Sequence, residues 1–258
     1  MKYYSFVLFF LVSGFSFAQN SSGPDSTIIR QFFDEALVRG KSYEDLRSLC
    51  KGIGARLSGS AQAQMAVEWG KRKLESYGFD KVYLQPVMVP HWERGNKEVA
   101  WFQSGNGDAI PVDILALGGS IGTNGTLKAE VIEFKSMDEL KKATKASVQG
   151  KIVFLNQPMN PADIVTFKAY GGCYSIRGHG AVESAKLGAV AVVIRSLALP
   201  DDHFPHTGSM YYEDGVPKIP AGALSTISSN ELSKALEKGK VTLILETDCR
   251  DFPDEPSF

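Results

Sequence analysis

The chain has 258 residues, 43% hydrophobic and 22% charged, long enough to bury a substantial core as one large domain or two small ones. A formal net charge of -1 gives no broad basic field for nucleic acid and no polybasic run for a membrane surface, so neither is expected as a partner.

The first residues read as an export leader. Lys2 provides a short positive start, Phe6 to Val12 an apolar run, and Ser16-Phe17-Ala18 the small residues of a cleavage site before Gln19. A run this short does not cross about 30 Å of hydrocarbon, which takes about 20 helical residues. Removal of 1–18 and a secreted or periplasmic location are therefore expected, with no membrane contact after cleavage.

Next, Ile28, Ile29, Phe32, Phe33, Ala36 and Leu37 recur at helical spacing before Gly40. Ser42 with Asp45 resembles a capping box opening a short second helix. Ser60 is placed to cap a helix over 61–77, closed by Gly78, with Met65, Trp69 and Leu74 toward its buried side. From Val82 the pattern turns to β, with Pro86 and Pro90 at an edge or end, and 92–108 reads as a loop-rich crossing. Strands are predicted over 112–117, 129–134, 151–155, 189–194 and 241–246. Capping boxes are read at Ser136/Glu139 and Ser228/Glu231, and a helix over 180–187. The all-apolar run AVAVVI has the composition of a strand buried on both faces. From Asp248 the acidic, proline-broken tail reads as a solvated linker.

The titratable residues form no catalytic centre. His203 and His206 lie in HFPH beside Asp201 and Asp202, but Pro205 bars a helical presentation of two imidazoles and there is no HExxH context. The glycines around His179 and the loop GGSIGTNG read as turns rather than phosphate cradles, and the tail lacks the register of a calcium loop. Cys50, Cys173 and Cys249 permit one disulfide with a free thiol, or three buried thiols.

As whole phrases, GARLSGS (54–60), LQPVMVPHWERG (84–95), GGSIGT (118–123), GKIVFLNQP (150–158), GAVESAKLGAVAVVIRS (180–196), PHTG (205–208) and DGVPKIP (214–220) resemble the carboxypeptidase Q branch of the di-zinc aminopeptidase and glutamate carboxypeptidase family. The resemblance implies an α/β fold: the N-terminal part of a zinc exopeptidase domain over 19–108, then an inserted protease-associated (apical) domain of mixed strands with flanking helices over 109–247. Residues 248–258 would lead back to the peptidase domain. It further implies two zinc ions in the full-length protein, held by residues beyond Phe258, with none bound by this chain and no catalytic or metal residue within it. A small peptide would be the substrate and a homodimer is possible. The loop 205–215 would overhang the cleft, with His206 and Tyr212 facing substrate. The alternative is a free-standing protease-associated module that binds peptides or proteins without catalysis.

Overall fold

The structure, a computed structural model, describes residues 23–105 and 107–258; the leader read over 1–18 lies outside them. Residues up to Gly54 form one unit and those from Ala55 a second. In the first, α1 (Pro24–Arg39) opens on a proline, whose missing N–H is no loss at a helix start. α2 (Ser42–Gly52) takes Ser42 as its first helical residue, with Lys41 at the cap position expected for Ser42. Neither helix has a buried residue, and Phe32, Phe33 and Leu37 are exposed.

The second unit begins with α3 (Ala61–Ser76). Ser60 Oγ accepts from Ala63 N at 3.1 Å, the cap read from the sequence, and Gly78 follows the helix with φ +77°. Met65 and Leu74, expected to be buried, are exposed, while Trp69 is partly covered. The chain then runs through β1 (Val87–Glu93), which pairs antiparallel with β10 (Arg250–Ser257). The tail is thus a strand and not a linker. In a two-stranded ribbon each strand keeps one open edge, so Pro253 and Pro256 can face away from the ladder. Three of the acids that gave the tail its linker-like composition are engaged: Glu255 with His91 (2.8 Å), Asp248 with Arg250 (3.0 Å) and Asp251 near Lys218 (3.9 Å).

Between the ribbon strands lies a mixed eight-stranded sheet in the order β3-β2-β9-β5-β6-β7-β8-β4. Its strands are β2 (Val99–Ser104), β3 (Ile110–Pro111), β4 (Ile114–Ala116), β5 (Leu127–Phe134), β6 (Ile152–Leu155), β7 (Ala191–Arg195), β8 (Ala221–Leu224) and β9 (Val241–Glu246). Strands β5 to β8 are mutually parallel, and β9, β2, β3 and β4 are antiparallel to their neighbours. β5 is joined to β6 through α4 (Met137–Lys142) and α5 (Lys145–Val148), and β6 to β7 through α6 (Thr166–Gly178) and α7 (Gly180–Lys186); α8 (Thr226–Leu236) follows β8.

Side chains alternate across the sheet. Val153, Leu155, Val192 and Ile194 join one core with residues of α4, α6 and α7. Ile152, Phe154, Ala191 and Val193 join the other with Leu232 of α8 and Leu243 of β9. Strands β6 and β7 are accordingly buried on both faces, as their apolar runs predict. The second core also takes Phe102 from β2 and Ile114 from β4, strands far apart in the sheet order.

The sheet curls for a covalent reason. β3 and β4 lie at opposite ends of the order, yet only Val112 and Asp113 separate them in sequence. A connection of that length spans at most about 11 Å, so the two edges must come together. The outer edge of β4 is sealed by side chains: Arg94 Nη1 donates to Ala116 O (2.6 Å) and to Glu98 Oε1 (2.8 Å), and Glu98 Oε1 accepts from Ala116 N (2.9 Å).

Several elements depart from the sequence reading. The stretch taken as a loop contains β2, so the sheet starts ahead of residue 109. At α4 the capping box forms, with Ser136 Oγ accepting from Glu139 N (3.2 Å) and Glu139 Oε2 from Lys135 N (2.6 Å). At α8 the cap is Ser225, three residues before the expected Ser228, and its Oγ accepts from Ser228 N at 3.0 Å. All three cysteines are free; Cys173 and Cys249 are buried and Cys50 is exposed. Helix α6 and strand β8 have no counterpart among the elements predicted from the sequence.

Candidate functional site

The link from β7 to β8, residues 196–220, contains no helix or strand. A connection this long without secondary structure of its own is uncommon in a compact unit and is usually functional. It is firmly held. Ser196 Oγ donates to Leu224 O (2.6 Å) and accepts from His206 N (2.8 Å). Thr226 Oγ1 accepts from Asp202 N (2.9 Å), and the backbone bonds Gly118 N to Gly208 O (2.9 Å) and Met210 N to Gly118 O (3.0 Å) tie the loop to GGSIGTNG. The amides of Gly118, Ser120, Ile121 and Thr123 all donate within the protein, which makes that loop a structural brace.

Tyr212 is the central pin. Its ring packs against the first core, its hydroxyl donates to Ile219 O (2.7 Å) and accepts from Ile121 N (3.0 Å), and burial pushes the phenol above its ordinary pKa. Tyr212→Phe would leave a carbonyl and an amide without partners, so a loss of about 1–3 kcal/mol is expected in urea unfolding. A change within about 0.3 kcal/mol would show that the hydroxyl holds nothing.

His206 stands elsewhere on the loop. Its Nε2 is 3.4 Å from Asp202 Oδ2, and it lines a cavity of about 480 Å3 with Met159, Phe167, Tyr170, Leu197 and Leu199. Tyr212 is not among the residues lining that cavity, so the two side chains read from the sequence as a pair do different things. Phe167, on the wall of this cavity, is 85% exposed.

Behind Tyr170 lies a residue the sequence reading passed over. Arg177 is only 8% exposed, its guanidinium lies 5.2 Å from the ring centroids of both Tyr170 and Tyr174, and its Nη2 donates to the Tyr170 hydroxyl. It has no carboxylate partner among the described residues. A Cβ on Gly208 would stand 2.7 Å from the guanidinium carbon, so any larger residue there must displace the Arg177 head group. The signal for this wall was in the sequence: Ala169, Cys173 and Ile176 are buried at helical spacing along α6.

Apolar walls, one imidazole and a shielded cation can bind an apolar group; they supply no nucleophile paired with a base. Nor do the residues fit a metal pair. Among the described residues no group of three or more His, Cys, Asp or Glu side chains is placed to hold a metal ion. His203 turns to Asp113 (2.8 Å) while His206 turns to Asp202, so HFPH does not converge.

No protein-family model matches the chain. Curated relatives do: human carboxypeptidase Q is 37% identical over 86% of this chain, and the Xenopus laevis protein of the same name 38% identical over 86%. The chain is a homologue of carboxypeptidase Q. It spans about half the length of these relatives, 45% in both cases. The crystal structure of a peptidase M28 precursor from Shewanella amazonensis superposes with a TM-score of 0.84 at 35% identity, over 90% of this chain and 52% of that one. A zinc aminopeptidase from Bacillus subtilis, at 18% identity and a TM-score of 0.51 over 83% of this chain and 44% of that one, shares the fold alone. The mixed α/β architecture expected from the sequence is thus that of a known peptidase group. No helix of the described residues is long and apolar enough to cross a membrane.

Proposed function

We propose that this chain is the non-catalytic portion of an exported zinc-dependent exopeptidase of small peptides. In this reading the sheet between β1 and β10 is the protease-associated insert, and 24–93 opens the peptidase domain. The observation that carries the proposal is homology to carboxypeptidase Q along 86% of the chain, covering 45% of the relative. The exposed apolar faces of α1 and α3 support it, since a helix with Phe32, Phe33 and Leu37 uncovered needs a further surface to pack on. His206, at the cavity, is the side chain that can meet substrate, while Tyr212 acts by fixing the loop. The leader at 1–18 would direct export.

A second reading, a free-standing binding module, is favoured by one feature: the eight-stranded unit closes both of its cores without α1 to α3. The chain purified without its leader separates the two. The expected result is no stoichiometric zinc, no dipeptide hydrolysis and strong binding of a hydrophobic dye. Equimolar zinc with dipeptidase activity would overturn the proposal, and a dye-silent, sharply cooperative monomer would favour the module.

A further inference from the structure

The chain enters the eight-stranded unit through β1 and leaves it through β10, so the β1/β10 ribbon carries both covalent connections. At its centre, where the register shifts between Val89 and His91, the His91 side chain is 11% exposed. Its Nδ1 lies 2.8 Å from Glu255 Oε1 on the opposite strand and its Nε2 lies 3.2 Å from Glu93 Oε1 on its own. The ring stacks on Phe252 with centroids 4.5 Å apart. Behind it sits Gly59, at φ +77°, where a Cβ would stand 2.6 Å from His91 Cβ. No bulkier residue leaves room for the imidazole.

Both ring nitrogens therefore face carboxylate oxygens, which only accept. A neutral imidazole has a single N–H and would set its other lone pair against a carboxylate; only the imidazolium donates to both. Of the other charged groups on the ribbon, Asp251 faces Lys218 and Arg250 donates to Asp248, while Asp254 stands next to Glu255 on β10. From the start of α3, the neighbours lining the same cavity are Gly59, Ser60, Gln62 and Gln64, none of which titrates.

We propose that His91 is a proton-operated latch on the ribbon: charged, it ties β1 to β10 through Glu255 and Glu93, and neutral, it must let one carboxylate go, loosening the connection through which the eight-stranded unit is held. Burial draws the imidazole pKa down, but the Glu255 and Glu93 carboxylates more than offset it and hold the pKa above its ordinary value. The sign follows. A raised folded-state pKa gives stabilisation that is fully present below the unfolded value of about 6.5 and is lost as pH rises through the folded one.

The test combines NMR titration of the His91 ring with amide hydrogen exchange of β1 and β10, referenced to β6 and β7 in the same sample. On raising the pH, the ribbon amides should lose protection relative to β6 and β7 as His91 titrates. In Glu255→Gln the ring should titrate lower and the ribbon's loss should shift with it. His91→Phe keeps an aromatic ring on Phe252 and should make ribbon protection independent of pH. Ribbon protection that tracks β6 and β7 at every pH, an unchanged His91 titration in Glu255→Gln, or a persistent pH dependence in His91→Phe would each overturn the latch.

Discussion

Glu98→Ala should lower the stability of the second unit by about 3–5 kcal/mol, the range for removing one partner of a buried ion pair. The Glu98 side chain is 2% exposed and its Oε1 serves both the Arg94 guanidinium and the Ala116 amide. Alanine leaves the guanidinium at the rim of the sheet without its counter-charge and opens the edge of β4 that the pair seals. Glu98→Gln keeps an acceptor for the amide and should lose less. Urea unfolding at constant m-value reads both. A second readout is the neighbouring Cys249, whose thiol is pushed up to about 11 by burial first and by the negative charge of Glu98 second. Removing that charge should make Cys249 easier to ionise and faster to alkylate at alkaline pH. A loss below about 1 kcal/mol would mean that water replaces the carboxylate at the seam.

Phe154→Ala should cost about 3–5 kcal/mol by the same measurement. Phe154 is fully buried on β6 within the core that also takes Phe102, Val193 and Leu243. Strands from distant places in the sheet order meet around this ring, so the surroundings cannot collapse into the space without undoing the curl. Phe154→Leu retains most of the apolar volume and should lose much less. Equal losses for the two variants would show that the core does not close around the aromatic ring.

Elements with a strong period or run were legible. The predicted strand 241–246 coincides with β9, and the helix expected over 61–77 is α3 with its Ser60 cap. What was missed lacked local signal. AGAL in β8 has no β-branched or aromatic residue, and α6 was masked by Gly171 and Gly172, poor helix formers. β2 was overlooked between two glycine-containing turns. β10 reads as a linker because composition shows acids and prolines but not the His91 and Lys218 that meet them across the fold. The candidate site was half visible. His206 and the long loop could be picked out, but Met159, Phe167, Leu197 and Arg177 come together only once α6 is laid beside that loop.

The pairing of Glu93 with Arg250 sets the two ends of the intervening sheet unit opposite each other, at the roughly 5 Å spacing of directly opposed antiparallel residues. A segment whose ends almost touch is a portable cassette: it can be excised and the stumps rejoined by a tight turn, or grafted into any exposed hairpin of a host without stretching either chain. Glu93 and Arg250 mark where to cut.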